Sequence, residues 1–138
     1  MAIVAEKNLK VIIQGITGRE AASFTKDMLD YGTQVVAGCT PGKQGQKVHG
    51  VPVYDTVRQA VAEHPASASV ISVPPALVKG AAFEALDNGL ELIIIVTERV
   101  PRRDVVEILE VARKSGARVI GPNTLGLICP HEIKLGMA

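Results

Sequence analysis

The sequence predicts an α/β fold: a doubly wound, mostly parallel five-stranded sheet with helices on both faces. Three observations lead there. Short Val- and Ile-rich runs alternate with longer segments of helical period. The runs are almost continuously apolar, as expected of strands covered on both faces in a parallel sheet. Strand, helix and strand also follow one another in the order that right-handed βαβ crossovers need. A length of 138 residues with 47% apolar residues is enough for one such core.

In chain order, residues 9–14 (LKVIIQ) make the first strand, and residues 19–31 a helix closed by Gly32, with Ala22, Met28 and Leu29 facing inward. Residues 34–39 (QVVAGC) make the second strand. A shorter helix over residues 56–63 follows, for which Asp55 offers an N-cap. Residues 69–73 are the third strand; the stripe Leu77, Ala81, Ala82, Ala85 and Leu86 then marks a helix ended by Gly89. Residues 92–96 (LIIIV) are the fourth strand. Val105, Ile108, Leu109 and Ala112 obey the i, i+3, i+4, i+7 rule, and Gly116 stops that helix. Residues 118–120 complete the sheet, and the segment after Cys129 reads as a tail. No repeat or internal linker interrupts the pattern, so one domain spans residues 1–138.

Fifteen Lys and Arg offset fourteen Asp and Glu, a net charge of +1 that leaves no electrostatic footprint for nucleic acid or an anionic membrane surface. With no Trp, two Tyr and two Phe there is no platform for base stacking. The longest apolar run, residues 92–96, is too short to cross a bilayer. The first residues lack the basic-then-apolar pattern of a secretory signal. Cys39 and Cys129 form neither a disulfide framework nor a Cys-x-x-Cys pair, which suits a reducing cytoplasm.

In sheets of this kind, ligands bind beyond the carboxyl ends of the strands, near the point where strand order reverses. Four of the five loops there, at residues 15–18, 40–50, 74–75, 97–101 and 121–126, are crowded with Gly or Pro. Gly15-Ile16-Thr17-Gly18 joins the first strand to the first helix. Its glycines let backbone N–H groups approach a phosphate, the helix N-terminus adds about half a positive charge, and Thr17 offers a hydroxyl. With Ala21 the pattern is Gly-x-x-Gly-x-x-Ala, near a dinucleotide fingerprint without matching the usual one. The same residues also suit a tight turn that only packs the helix on the sheet.

An NAD-binding domain places an acid at the end of its second strand, to hold the ribose diol. This chain has Thr40-Pro41-Gly42-Lys43-Gln44-Gly45-Gln46-Lys47 there, with two lysines and no acid. A cation suits an additional phosphate, as on NADP or on the 3′-phosphate of coenzyme A. Lys43, following Pro41-Gly42, is the candidate, whereas Lys47 reads as a solvated side chain. Glu98, within Val96-Thr97-Glu98-Arg99, serves either a ligand crevice or the amino end of the next helix. Asn123, in the Gly121–Gly126 turn, can bond its own backbone.

Catalytic groups are sparse. His49, His64 and His131 have no metal-ligand spacing with one another or with either cysteine, and His64 reads as a surface residue. No Gly-x-Ser-x-Gly elbow occurs, and neither Tyr31 nor Tyr54 is followed four residues on by Lys. No catalytic residue and no metal site is assigned.

Taken in order, Gln14-Gly15-Ile16-Thr17-Gly18, Thr40-Pro41-Gly42-Lys43, Val96-Thr97-Glu98 and Gly121-Pro122-Asn123 resemble the coenzyme A-binding domain of the succinyl-CoA synthetase (succinate–CoA ligase) α subunit family. Residues 50–57, 68–71 and Pro74-Pro75 extend the resemblance over essentially the whole chain. It implies a Rossmann-like fold that binds coenzyme A. It places CoA phosphates on the loop Thr17-Gly18-Arg19-Glu20, a further CoA contact on Lys43, and the reactive arm towards Val96-Thr97-Glu98; Gly15, opening the glycine loop, joins them as a cofactor-binding candidate.

The resemblance also implies two protein partners: a β subunit with a nucleotide-grasping domain, and a second α domain carrying a phosphorylated histidine that none of the three here matches. The complete enzyme would form an acyl phosphate and then a thioester, and this chain alone is expected to bind CoA and catalyse nothing. Three departures leave the acid substrate open among succinate, malate and others. Arg99 stands for the family's usual Gly, Thr124-Leu125 for its usual Cys-Pro, and Arg19 and Glu20 for small or neutral residues. Two other readings stand beside this one: a stand-alone CoA- or nucleotide-sensing module acting through partner proteins, and an NADP-linked reductase fragment suggested by Gly15, Gly18 and Ala21.

Overall fold

The computed structural model describes residues 8–129 and 133–137. Strand β1 (Lys10–Gln14) leads through helix α1 (Arg19–Tyr31) to β2 (Gln34–Cys39). A hairpin of β3 (Lys47–Val48) and β4 (Val51–Tyr54) follows, then α2 (Val57–Glu63) and β5 (Ala68–Ile71). A 3₁₀ turn (Pro75–Leu77) runs into α3 (Val78–Asp87), and β6 (Leu92–Ile95), α4 (Arg102–Ser115) and β7 (Arg118–Ile120) come next. These strands form one sheet in the order β3-β4-β2-β1-β5-β6-β7, parallel except for β3. Strands β8 (Gly126–Cys129) and β9 (Ile133–Gly136) pair antiparallel as a separate hairpin.

The five expected strands are β1, β2, β5, β6 and β7, but the main sheet has seven. The two additions escape a periodicity argument for physical reasons. Strand β3 is two residues long, and β4 contains Pro52, which has no N–H to give a ladder. Between them His49 and Gly50, at φ 49° and 84°, form the left-handed two-residue turn that matches the twist of paired strands. Residues 133–136, expected to be part of a tail, are likewise strand β9. Ile133 and Leu135 are fully buried, and the Thr33 hydroxyl donates to the Lys134 carbonyl (2.7 Å) and accepts from the Lys134 N–H (3.0 Å).

The unbroken apolar runs are explained by the two covered faces. Val11, Ile13, Val70, Leu92 and Ile94 pack on one face with Ala21, Phe24 and Met28 of α1 and Ile133 and Leu135 of β9. Ile12, Ile71, Ile93 and Ile95 alternate to the other face, against Val57, Val78, Ala82, Ile108 and Ala112 from α2, α3 and α4. Each such side chain contributes about 1.5–3 kcal/mol on burial. The helices bury narrower stripes than the sequence suggested. Leu77 and Leu109 are 59% and 46% exposed, while Ala22 and Leu29 are only half-buried and Ala21, Phe24 and Thr25 lie inward instead.

Helix ends follow local chemistry. Gly32 and Gly116 close α1 and α4 in the left-handed conformation. The N-cap of α2 is Thr56, whose hydroxyl accepts from the Gln59 N–H at 3.1 Å, and not Asp55, whose carboxylate is directed elsewhere. Gln14, buried at the end of β1, donates through Nε2 to the Ala81 carbonyl (2.9 Å) and accepts from the Ser69 hydroxyl (2.6 Å), tying β1 to α3 and β5. Among the described residues no helix is long and apolar enough to cross a membrane. Strand order reverses between β1 and β5, so a crevice opens between residues 15–18 and 72–75.

Candidate functional site

The loop after β1 contains two glycines that do different things. Gly15 has φ 87°, and its N–H donates to the Cys39 carbonyl at 2.7 Å. An added Cβ would overlap the Ser72 carbonyl oxygen, so Gly15 lets the loops after β1 and β5 meet; its N–H is not offered to a ligand. Gly18 has φ −67° in extended backbone, and an added Cβ would come no closer to any atom than 3.4 Å. The fold therefore does not require glycine there. Gly18 starts α1 with no side-chain cap, and first-turn N–H groups of a helix have no intrahelical acceptor. Open space in front of such a terminus admits an anion close to the main chain.

Thr17 is half-buried and faces Thr40, a residue that sequence reasoning passed over as part of a loop. The two hydroxyls are 3.2 Å apart, and the Thr17 N–H reaches the same Thr40 oxygen at 3.4 Å. Arg19 and Glu20 are exposed on the first turn of α1, where Ser23, Asp27 and Met137 continue the surface depression they line.

Lys43 is exposed on a turn whose N–H groups at residues 42–44 are all bonded. Its own N–H donates to the Thr40 carbonyl (3.1 Å) and its carbonyl accepts from Gln46 (3.2 Å). The N–H groups of Gly42 and Gln44 both donate to Asp55 Oδ1, at 2.9 and 3.2 Å. Among the described residues Lys43 forms no ion pair.

Val96 is 3% exposed, with its side chain in the core, so it can meet a ligand only through its main chain. The Thr97 hydroxyl donates to the Val73 carbonyl at 2.8 Å, tying the loop after β6 to the loop after β5, and the Thr97 carbonyl accepts from the Asn123 N–H at 2.9 Å. Glu98 is exposed. With Glu20, Val73, Pro74 and Thr97 it lines a cleft of about 390 Å³. Arg99, next in sequence, is held at φ 61°. Val73 also lines a second, mostly apolar pocket of about 260 Å³, bounded by Gly15, Cys39, Pro41, Leu77 and Ala81 with the carboxylates of Asp55 and Glu84. Cleft and pocket thus meet across the switch point.

Burial, with a smaller contribution from the nearby Glu84 carboxylate, pushes the Cys39 thiol up to about 12, which makes it a neutral wall and not a nucleophile. Glu84 accepts from the Val57 N–H at 2.7 Å and so holds the start of α2. His64 is half-buried and bonded to the Tyr54 hydroxyl (3.1 Å), more integrated than a surface side chain. His49 is an exposed turn residue, and His131 lies outside the described residues. Among the described residues no three His, Cys, Asp or Glu side chains converge on a metal position. A depression at the amino ends of the strands, lined by Leu9, Ser67, Glu91 and Arg118, lies opposite the end where such sheets bind ligands.

The family model described as CoA binding domain matches residues 6–99, from the segment before β1 through Val96-Thr97-Glu98. The chain belongs to the CoA-binding-domain family. Its relatives in that family include the ADP-forming sulfoacetate-CoA ligase subunit SauD of Bilophila wadsworthia, 45% identical over 136 residues, which cover 99% of this chain and 46% of that protein. The succinate–CoA ligase [ADP-forming] subunit alpha of Aquifex aeolicus is 45% identical over 139 residues, again 99% of this chain and 46% of the relative. A subunit alpha 1 of the same ligase from Archaeoglobus fulgidus is 47% identical, with 99% and 47% covered. The chain therefore spans about half the length of the curated relatives it matches. It is a CoA-binding domain homologous to the α subunits of ADP-forming CoA ligases. Among solved structures, the ATP citrate lyase of Methanothrix soehngenii in complex with citrate and coenzyme A superposes with a TM-score of 0.87 at 23% identity, over 97% of this chain and 24% of that one. At that identity the likeness is one of fold.

Proposed function

We propose that this domain holds coenzyme A across the crevice at the β1/β5 switch point and presents its thiol within an ADP- or GDP-forming acid–CoA ligase of the succinate–CoA ligase type. The observation that carries the reading is Lys43: a cation without an ion pair among the described residues, on a bonded turn at the end of β2. An NAD-binding domain would keep an acid at that place. A phosphate monoester, such as the 3′-phosphate of CoA, is its natural partner.

In this reading the pyrophosphate lies at Gly18 and the first turn of α1, with Arg19 beside it and Thr17 fixing the loop. The adenine fills the apolar pocket, where Glu84 offers an acceptor to an exocyclic amino group. The arm then runs past Val73 to Val96, Thr97 and Glu98. Charge supports this direction, because Glu98 lines a cleft suited to a neutral pantetheine arm and would repel phosphate.

The residues of this chain bind and orient; none supplies a nucleophile. In the complete enzyme a second α domain would carry the phosphohistidine and a β subunit the nucleotide. The CoA sulfur would attack the carbonyl of an acyl phosphate, forming the thioester and releasing phosphate. Fixing the thiol beside that carbonyl removes a large entropic share of the barrier. The cytoplasm, where thiols stay reduced, suits this chemistry.

Calorimetric titration with CoA, dephospho-CoA and NADPH tests the proposal. Lys43→Ala should weaken CoA by about 10- to 100-fold, the equivalent of roughly 1.5–3 kcal/mol for a charged hydrogen bond, and leave dephospho-CoA nearly unchanged. No CoA binding, or tighter binding of NADPH, would overturn it.

A further inference from the structure

Asp55 directly follows β4, and its carboxylate does a job that neither helix capping nor the sheet requires. Oδ1 accepts from the N–H groups of Gly42 and Gln44, the two residues flanking Lys43. With the Lys43 N–H on Thr40 and the Lys43 carbonyl on Gln46, the N–H groups of residues 42–44 and the Lys43 carbonyl are all tied down. The side chain alone is left to act. Capping of α2 is carried out by Thr56, so Asp55 is free of that duty. Electrostatics makes its presence conspicuous. A carboxylate close to a phosphate-reading lysine opposes the anion, and such a group is tolerated where two charge-assisted hydrogen bonds define a turn.

We infer that Asp55 is a positioning residue: it clasps the 42–44 turn so that the Lys43 ammonium addresses a phosphate monoester at the end of β2. The clasp thereby sets the discrimination between a nucleotide ligand that carries this phosphate and one that lacks it. This rests on the reading of Lys43 given above. Asp55 also borders the apolar pocket, which offers a rival role, direct acceptance of a hydrogen bond from the ligand's base. The two roles differ in what they predict.

The test is the affinity ratio of CoA to dephospho-CoA, by calorimetry, for the wild type, Asp55→Ala, Asp55→Asn and Lys43→Ala, with thermal melting of each. Wild type should favour CoA. Asp55→Ala should lower the ratio about tenfold, toward that of Lys43→Ala, with dephospho-CoA changed no more than about twofold. Asp55→Asn keeps an oxygen for both N–H groups and removes the opposing charge, so it should bind CoA at least as well as the wild type. If Asp55→Ala melts below the assay temperature, Asp55→Glu, which retains the charge but displaces the oxygen, carries the same expected loss of ratio. An unchanged ratio in Asp55→Ala, or in Asp55→Glu where that variant replaces it, overturns the clasp alone. Equal losses for both ligands in Asp55→Ala and Asp55→Asn overturn it in favour of direct contact with the base. A wild type that does not distinguish the two ligands overturns the Lys43 reading and the clasp with it.

Discussion

The hydroxyls of Thr17 and Thr40 stand 3.2 Å apart, with the Thr17 N–H directed at the same Thr40 oxygen. One side chain thus couples the loop that begins α1 to the turn that bears Lys43. The two ends proposed to receive phosphate groups are held in a common frame, so a ligand spanning them meets a prearranged spacing.

Thr40→Val keeps the shape and deletes the shared oxygen. It should cost about 1 kcal/mol in urea unfolding and weaken CoA by roughly threefold or more, because both loops lose their common anchor. Thr40→Ser should restore both. Calorimetry and denaturation on the three proteins check this, and a valine variant that binds CoA normally would remove Thr40 from the site.

The two loop glycines should respond in opposite ways. Gly15→Ala combines a left-handed backbone with overlap on the Ser72 carbonyl and should cost about 2–5 kcal/mol, a large share of a domain's stability. Gly18→Ala meets no close atom and should cost no more than about 1 kcal/mol, yet lower CoA affinity by about tenfold through steric exclusion of the phosphate. Melting temperatures and CoA titration separate the two. A Gly18→Ala protein with wild-type affinity would place the phosphates elsewhere.

Cys39 predicts a pH window. Its thiol is raised from an ordinary 9.0 to about 12, so the folded state holds the proton more tightly than the unfolded chain. The stability this confers is complete below about pH 9 and is lost as pH rises towards about 12. Urea unfolding at about pH 8 and about pH 10.5 should show a steeper decline for the wild type than for Cys39→Ala. At neutral pH the native thiol should resist iodoacetamide and react once unfolded.

How much of this was legible in the sequence depended on how strongly each residue is committed by its neighbours in the chain. The Val/Ile runs of β1, β2, β5, β6 and β7 announced themselves because each is buried on both faces. Hairpin β3–β4 did not, since its strands are short and carry Pro52. The role of Asp55 could not be read either. An acid followed by Thr-Val at a helix start looks like a cap, and only the return of the chain reveals that the N–H groups it accepts from lie 11 and 13 residues earlier. Arg99 shows the converse. The resemblance flagged it as a replacement for Gly, and its φ of 61° supplies the reason a glycine suits that position. Thr40 entered only as part of the Thr40-Pro41-Gly42-Lys43 motif, with no role of its own, because its partner Thr17 stands 23 residues away.

The burial of β9 against α1 has a consequence for how the molecule comes into being. The bond between Thr33 and Lys134 closes a span of 101 residues. Ile133 and Leu135 fill one face of a sheet whose strands were all made earlier in synthesis. During translation that face has only α1 to cover it until β9 has been made. The domain therefore matures from its centre outward in space but only at its end in time. A nascent chain paused before residue 133 should be the form most in need of a chaperone.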